Sequence, residues 1–169
     1  MTYFTRLPYA RWLVLWLSIF VLCACATRGG SLQAMPGSNA HWQGRLAVKV
    51  FGNPVQAWAA NFELVGNPAQ GELILTTPLG GTLAHLQWTA GKALLKASNQ
   101  QQEFSSLDAL ALQATGTPLP IAAMFGWLSG KSAEATGWEL DSGGLQNGRL
   151  TARQTAQEPQ AEIKIVLDK

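Results

Sequence analysis

From residue 42 onward the apolar residues recur at every second position, and this period of two limits what the chain can fold into. In Trp42-Gln-Gly-Arg-Leu-Ala-Val-Lys-Val50, positions 42, 46, 48 and 50 are apolar, while Gln43, Arg45 and Lys49 fall on the other face. In residues 55–65, Trp58, Ala60, Phe62 and Leu64 share one face, with Ala59, Asn61 and Glu63 opposite. Segments 71–76, 82–89, 92–97 and 101–104 continue as short strands. Turn signals divide them at Gly66-Asn67-Pro68, Pro78-Leu79-Gly80-Gly81, Ala90-Gly91 and Ser98-Asn99. Half-polar alternation with tight turns predicts an antiparallel meander, one face buried and one wet.

The period changes at residue 105. Leu107, Leu110, Ala111 and Ala114 follow helical spacing after a Ser105/Ser106 cap, and Gly116 stops the run. Thr117-Pro118-Leu119-Pro120 makes a stiff corner. Ile121, Met124, Phe125 and Leu128 then follow at i, i+3, i+4 and i+7, ending at Gly130. Segments 137–141, 145–154 and 161–168 return to strands. The expected fold is mainly β with a few helices: a strongly curved antiparallel sheet whose apolar concave face is covered by two short helices. Such a face cannot stay wet, so the helices either fill it or cap a cavity.

The start of the chain is of another kind. Arg6 and Arg11 precede the apolar run 12–22, a basic n-region and a short h-region, below the roughly 20 residues that a membrane-spanning helix needs. The run closes on Leu22-Cys23-Ala24-Cys25, which resembles the lipobox of bacterial lipoproteins. The resemblance implies cleavage after Ala24 and acylation of Cys25; the alternative is an ordinary signal peptide or an uncleaved anchor. Ala26 stands where Asp would resemble an inner-membrane retention signal, which points to the outer membrane. Residues 1–24 are thus expected to be a lipoprotein signal peptide and 25–41 a lipidated Cys with a flexible tether, rich in small residues, Gly and Pro. Residues 42–169 form the folded domain.

Without residues 1–24 the chain carries ten basic and ten acidic groups, a formal net charge of zero. A neutral body without a Lys/Arg cluster argues against nucleic acid as a partner. With Cys23 removed and Cys25 acylated, no thiol nucleophile or disulfide is left. His41 and His85 have no second potential ligand nearby in sequence, so a metal site has little support, and no cofactor motif is present. Gly80-Gly81 and Gly143-Gly144 lack the Lys and Ser of a phosphate loop, and no Gly-x-Ser-x-Gly elbow exists. The carboxylates are scattered. An enzyme is not expected.

The order of segments resembles the LolB family of outer-membrane lipoproteins. The matching pieces are the opening strand Trp42-Gln-Gly-Arg-Leu-Ala-Val, the run Gly71-Glu-Leu-Ile-Leu-Thr-Thr-Pro-Leu-Gly80, the helical unit Ala114-Thr-Gly-Thr-Pro-Leu-Pro-Ile121 with Trp127-Leu-Ser-Gly130, and the closing strand Glu162-Ile-Lys-Ile-Val-Leu-Asp168. One departure lies near the end. Only 31 residues follow Trp138, and Arg149 replaces a Trp usual after Asn-Gly, so the region before the last strand is shortened.

The resemblance implies an incomplete β-barrel with a helical lid over a hydrophobic cavity. Such a protein accepts triacylated lipoproteins from a periplasmic carrier (LolA-like) and inserts them into the outer membrane, working as a monomer anchored there and facing the periplasm. Trp58, Phe62, Trp88, Met124, Phe125 and Leu128 are the candidate acyl-chain lining; the alternative for each is plain core. Leu79, between Pro78 and Gly80, corresponds to an exposed apolar loop residue that promotes membrane insertion; the alternative is a side chain folded back on the sheet edge. Two other functions remain open: a lipocalin-like lipoprotein binding a small apolar ligand, and a structural envelope lipoprotein with a filled core.

Overall fold

The computed structural model describes residues 40–98 and 100–168. Cys25, the signal segment and nearly all of the tether therefore lie outside the described residues. The strands are β1 (Ala40–Val50), β2 (Gln56–Asn67), β3 (Gln70–Thr76), β4 (Thr82–Thr89), β5 (Lys92–Ala97) and β6 (Gln100–Phe104), followed by helices α1 (Leu107–Thr115) and α2 (Ile121–Leu128). β7 (Trp138–Asp141), β8 (Arg149–Gln154) and β9 (Ala161–Leu167) complete the chain. All nine strands join one antiparallel sheet in the order β6-β5-β4-β3-β2-β1-β9-β8-β7. The ends of this order, β6 and β7, do not pair with each other, so the barrel is incomplete.

Register explains why alternation survives across the sheet. Leu46 stands opposite Ala60 on one side and Ile165 on the other, and Leu64, Leu73, Leu86 and Leu95 line up across four strands. Each of these residues is buried. A slip of one residue in any pair would turn a whole apolar row to water, which pins the register. The edge strand β6, Gln-Gln-Gln-Glu-Phe, is polar along most of its length, as an edge that resists further pairing should be.

Ser106 caps α1, its hydroxyl accepting from the Ala109 amide at 3.1 Å. Gly116 ends the helix at φ +74°, where a side chain would be strained, and its amide donates to the Leu112 carbonyl. At the elbow, the amides of Leu119 and Ile121 donate to the carbonyls two residues back, making two successive tight turns on Pro118 and Pro120. The chain thus reverses within four residues and lays α2 on the concave face.

One expected strand is corrected. Residues 145–154 do not run as a single strand: Leu145–Asn147 form a 3-10 turn, and β8 starts only at Arg149. The amides of Asn147 and Arg149 both donate to the Gly144 carbonyl, and Gly148 sits at φ +70°. Two glycines and a closed turn outweigh the alternation there. β9 pairs along seven residues of β1, so the sheet continues past its first strand.

Candidate functional site: the lidded concave face and the β3–β4 loop

The concave face is apolar because period two sends one side chain of each pair inward, and nine strands contribute to it. α2 covers it with the sequence Ile-Ala-Ala-Met-Phe-Gly-Trp-Leu, in which Ile121, Ala123, Met124, Phe125, Trp127 and Leu128 are all buried. A helix that is apolar on nearly every side has no wet face of its own and is stable only inside a core or against another apolar body.

Five of the six candidate lining residues meet here. Phe62, Trp88, Met124, Phe125 and Leu128 are buried within one cluster, and Trp58 is half-buried against it. Phe125 is the hub: its ring meets Trp88 edge-on at 6.1 Å and Trp42 edge-on at 5.7 Å. The Trp88 indole N–H donates to the Asn67 carbonyl at 3.1 Å, which orients the ring. Gly71 opposite it is required, because a Cβ there would collide with the Trp88 ring and the Val65 carbonyl.

Trp58 does more than add apolar surface. Its indole N–H donates to the Thr115 carbonyl at 3.2 Å, one of the carbonyls that the end of a helix leaves unpaired. β2 thereby holds the end of α1. Trp127, on α2 itself, donates to the Ala133 carbonyl at 2.7 Å and so holds the loop that follows α2 against the helix, and a Cβ on Gly126 would strike Ala133. Trp42 and Trp127 were not among the expected lining residues. A tryptophan in an apolar run needs a partner for its N–H, and that need was the available signal.

Met124 and Trp127 lie among the most deeply buried side chains of the molecule. In this conformation α2 packs directly against the sheet.

Leu79 lies apart from the concave face. Thr77–Gly80 is a tight turn, with the Gly80 amide donating to the Thr77 carbonyl at 2.9 Å, and the loop is closed by Thr77 N–H to the Gly81 carbonyl at 2.8 Å. Thr77 Oγ1 also accepts from the Gly81 amide at 3.0 Å. Pro78 presets the turn, and Leu79 at its third position points outward, 98% exposed. The side chain is not folded back on the sheet edge.

His85 Nε2 lies 3.0 Å from Glu72 Oε2 on the outer face, and the Gln87 amide donates to the same oxygen at 3.4 Å. His41 pairs with Glu63 on the same face at 2.9 Å. Among the described residues no group of three or more His, Cys, Asp or Glu could hold a metal ion. No helix among them is long and apolar enough to cross a membrane.

The described domain is thus an incomplete β-barrel whose apolar face is covered by α2 and whose β3–β4 turn projects an apolar side chain. The family model for the outer membrane lipoprotein LolB matches residues 39–168. The chain belongs to the LolB family. Among curated relatives, the outer-membrane lipoprotein LolB of Shewanella woodyi is 30% identical over 139 residues, covering 79% of this chain and 63% of that one. That of Bordetella parapertussis is 30% identical over 134 residues, 73% of this chain and 67% of that one. That of Chromobacterium violaceum is 28% identical over 101 residues, 60% and 54% of the two chains. The chain thus spans between about half and two thirds of the length of these relatives.

Proposed function

We propose that this protein is an outer-membrane lipoprotein receptor, which takes triacylated lipoproteins from a periplasmic carrier of the LolA kind, shelters their acyl chains under α2, and releases them into the outer membrane. In this reading Cys25 carries the lipid anchor, the domain faces the periplasm, and Leu79 enters the membrane during release. The protein binds and transfers; it catalyses no reaction.

The observation that carries the proposal is α2, a helix apolar on nearly every side, lying on an apolar concave sheet. Three acyl chains hold roughly 40 methylenes, and exposing them to water would cost on the order of 30 kcal/mol, so a carrier must cover them throughout. Displacing four large α2 side chains into water would cost roughly 6–12 kcal/mol. An incoming acyl chain removes that cost by replacing the lost contacts as they break, so exchange is far easier than opening an empty cavity. Met124, flexible and polarizable, suits a surface that must repack around chains of no fixed shape. No nucleotide-binding motif is present, so transfer runs downhill, from carrier to receptor to bilayer.

The test uses the domain without its anchor, loaded with an apolar fluorescent probe. A triacylated lipoprotein should displace the probe, and its unlipidated form should not. Displacement by small apolar ligands alone would instead fit a lipocalin-like protein. Failure of every probe to bind would mean a permanently filled core and a structural role.

A further inference from the structure

Among the described residues, three exposed large apolar side chains lie in loops at one end of the sheet and Leu83 lies beside them at the start of β4, while Leu112 is on α1 and Val166 on β9 opposite Arg45. Leu79 is on the β3–β4 loop; Phe51 and Val55, 44% and 55% exposed, are on the β1–β2 loop. The antiparallel order puts both loops at the same end, since β1 and β3 run in the same direction. The β1–β2 hairpin reaches past β3, since Val50 pairs with Gln56 whereas the last β3 pair is Thr76 with Asn61, five residues lower along β2; on its other side it is level with the start of β9, where Val50 pairs with Ala161. Its tip is held rather than loose, because the Phe51 amide donates to the Gln160 carbonyl at 2.8 Å.

Below the tip, the outer face of β2, β1 and β9 is an unusual mixture. Ala47, Ala57 and Ala59 floor a hollow of about 440 Å³, bordered by Lys49, Lys164 and Glu162. Lys49 Nζ lies 4.7 Å over the Phe51 ring. Arg45 and Lys49 are exposed on the same face, while Glu162 is already paired with Arg153 and Lys164. The face therefore carries surplus positive charge beside projecting apolar side chains.

We infer that the tip of the β1–β2 hairpin, with Phe51 and Val55 entering the lipid and Lys49 and Arg45 on the headgroups, is a second membrane-contact element that docks on an anionic phospholipid surface. This rests on the reading that the protein works at a bilayer. Projecting tips suit a fluid interface rather than a grooved partner, and a cation stacked on an aromatic ring lets the ring sink while the charge stays at headgroup level. Basic groups near the surface add attraction to anionic lipid. With Leu79 at the same end, two contacts would fix the orientation of the domain, which a single loop cannot do.

The experiment is amide hydrogen exchange on the full chain, reconstituted in phosphatidylcholine vesicles with and without phosphatidylglycerol and compared with detergent. Amides at 51–55 should exchange about tenfold more slowly on the anionic vesicles, while those of the β2–β3 turn at the opposite end stay unchanged. Phe51→Ser with Val55→Ser should abolish the protection without lowering the melting temperature, and Lys49→Glu should weaken it about fivefold. Protection at 77–81 without protection at 51–55 overturns the inference and leaves the role of Leu79 standing. Protection at 51–55 while Leu79→Glu still delivers lipoproteins keeps the inference and removes that role. Equal protection on phosphatidylcholine alone overturns the choice of an anionic surface.

Discussion

Leu79 and Trp58 show how differently two apolar residues can be used. Leu79 forgoes burial worth roughly 1.5–3 kcal/mol and is held outward by a turn that Pro78 and the Thr77 bonds make rigid. Because it touches no core, Leu79→Glu should leave the unfolding midpoint and acyl-chain binding unchanged while stopping delivery into vesicles. Loss of binding as well would show that the residue is structural. Trp58 instead satisfies the Thr115 carbonyl at the end of α1. Trp58→Phe keeps an aromatic ring but leaves that carbonyl without its donor, and should cost about 1–2 kcal/mol in urea unfolding.

At the scale of elements, α2 and the β8–β9–β1 corner respond to different variables. Phe125 joins α2 to β1 and β4 through two edge-on contacts, so Phe125→Ala should destabilise the domain by about 3–5 kcal/mol. If α2 is a lid, the same change should also alter probe affinity; a pure core residue would change stability alone. On the outer face, hydrogen bonds from Lys164 and then Arg153 hold the Glu162 carboxyl below its ordinary value of 4.5. A carboxyl lowered in the folded state contributes stability that is complete above that ordinary value and is lost as pH falls through the folded one. Glu162→Gln should therefore be less stable than the parent near neutral pH, by at most about 1 kcal/mol for so exposed a pair of partners, and equal to it in strong acid. Chemical denaturation at both pH values checks this.

The described domain is a sheet that curls without closing, and on the proposed function this shape would let it hold matter of variable volume. A closed barrel fixes its lumen by strand number and shear; an open one with a side-chain-packed lid can spread. The proposed affinity order, tighter than the carrier and weaker than the bilayer, would move a lipoprotein in one direction without an energy source. Measuring the affinity of one passenger for carrier and receptor checks it, since a reversed order removes the reason for transfer.

Period two, the Pro118–Pro120 elbow and the Ser106 and Gly116 signals determined the strands, both helices and the inward face, because these depend on local backbone preference and on which side chains avoid water. The projection of Leu79 was legible for the same reason: a Pro-x-Gly turn leaves its central side chain nowhere to pack. The break at residues 145–148 was not legible, since alternation continues through a segment that two glycines bend away. Tertiary structure alone decided that β9 joins β1, that Phe125 is gripped by Trp42 and Trp88, and that Trp58 ties down the end of α1. It also gathered Phe51, Val55 and Leu79 at one end of the sheet. Those pairings join residues far apart in the chain, and their geometry follows from register and curvature, which no local pattern encodes.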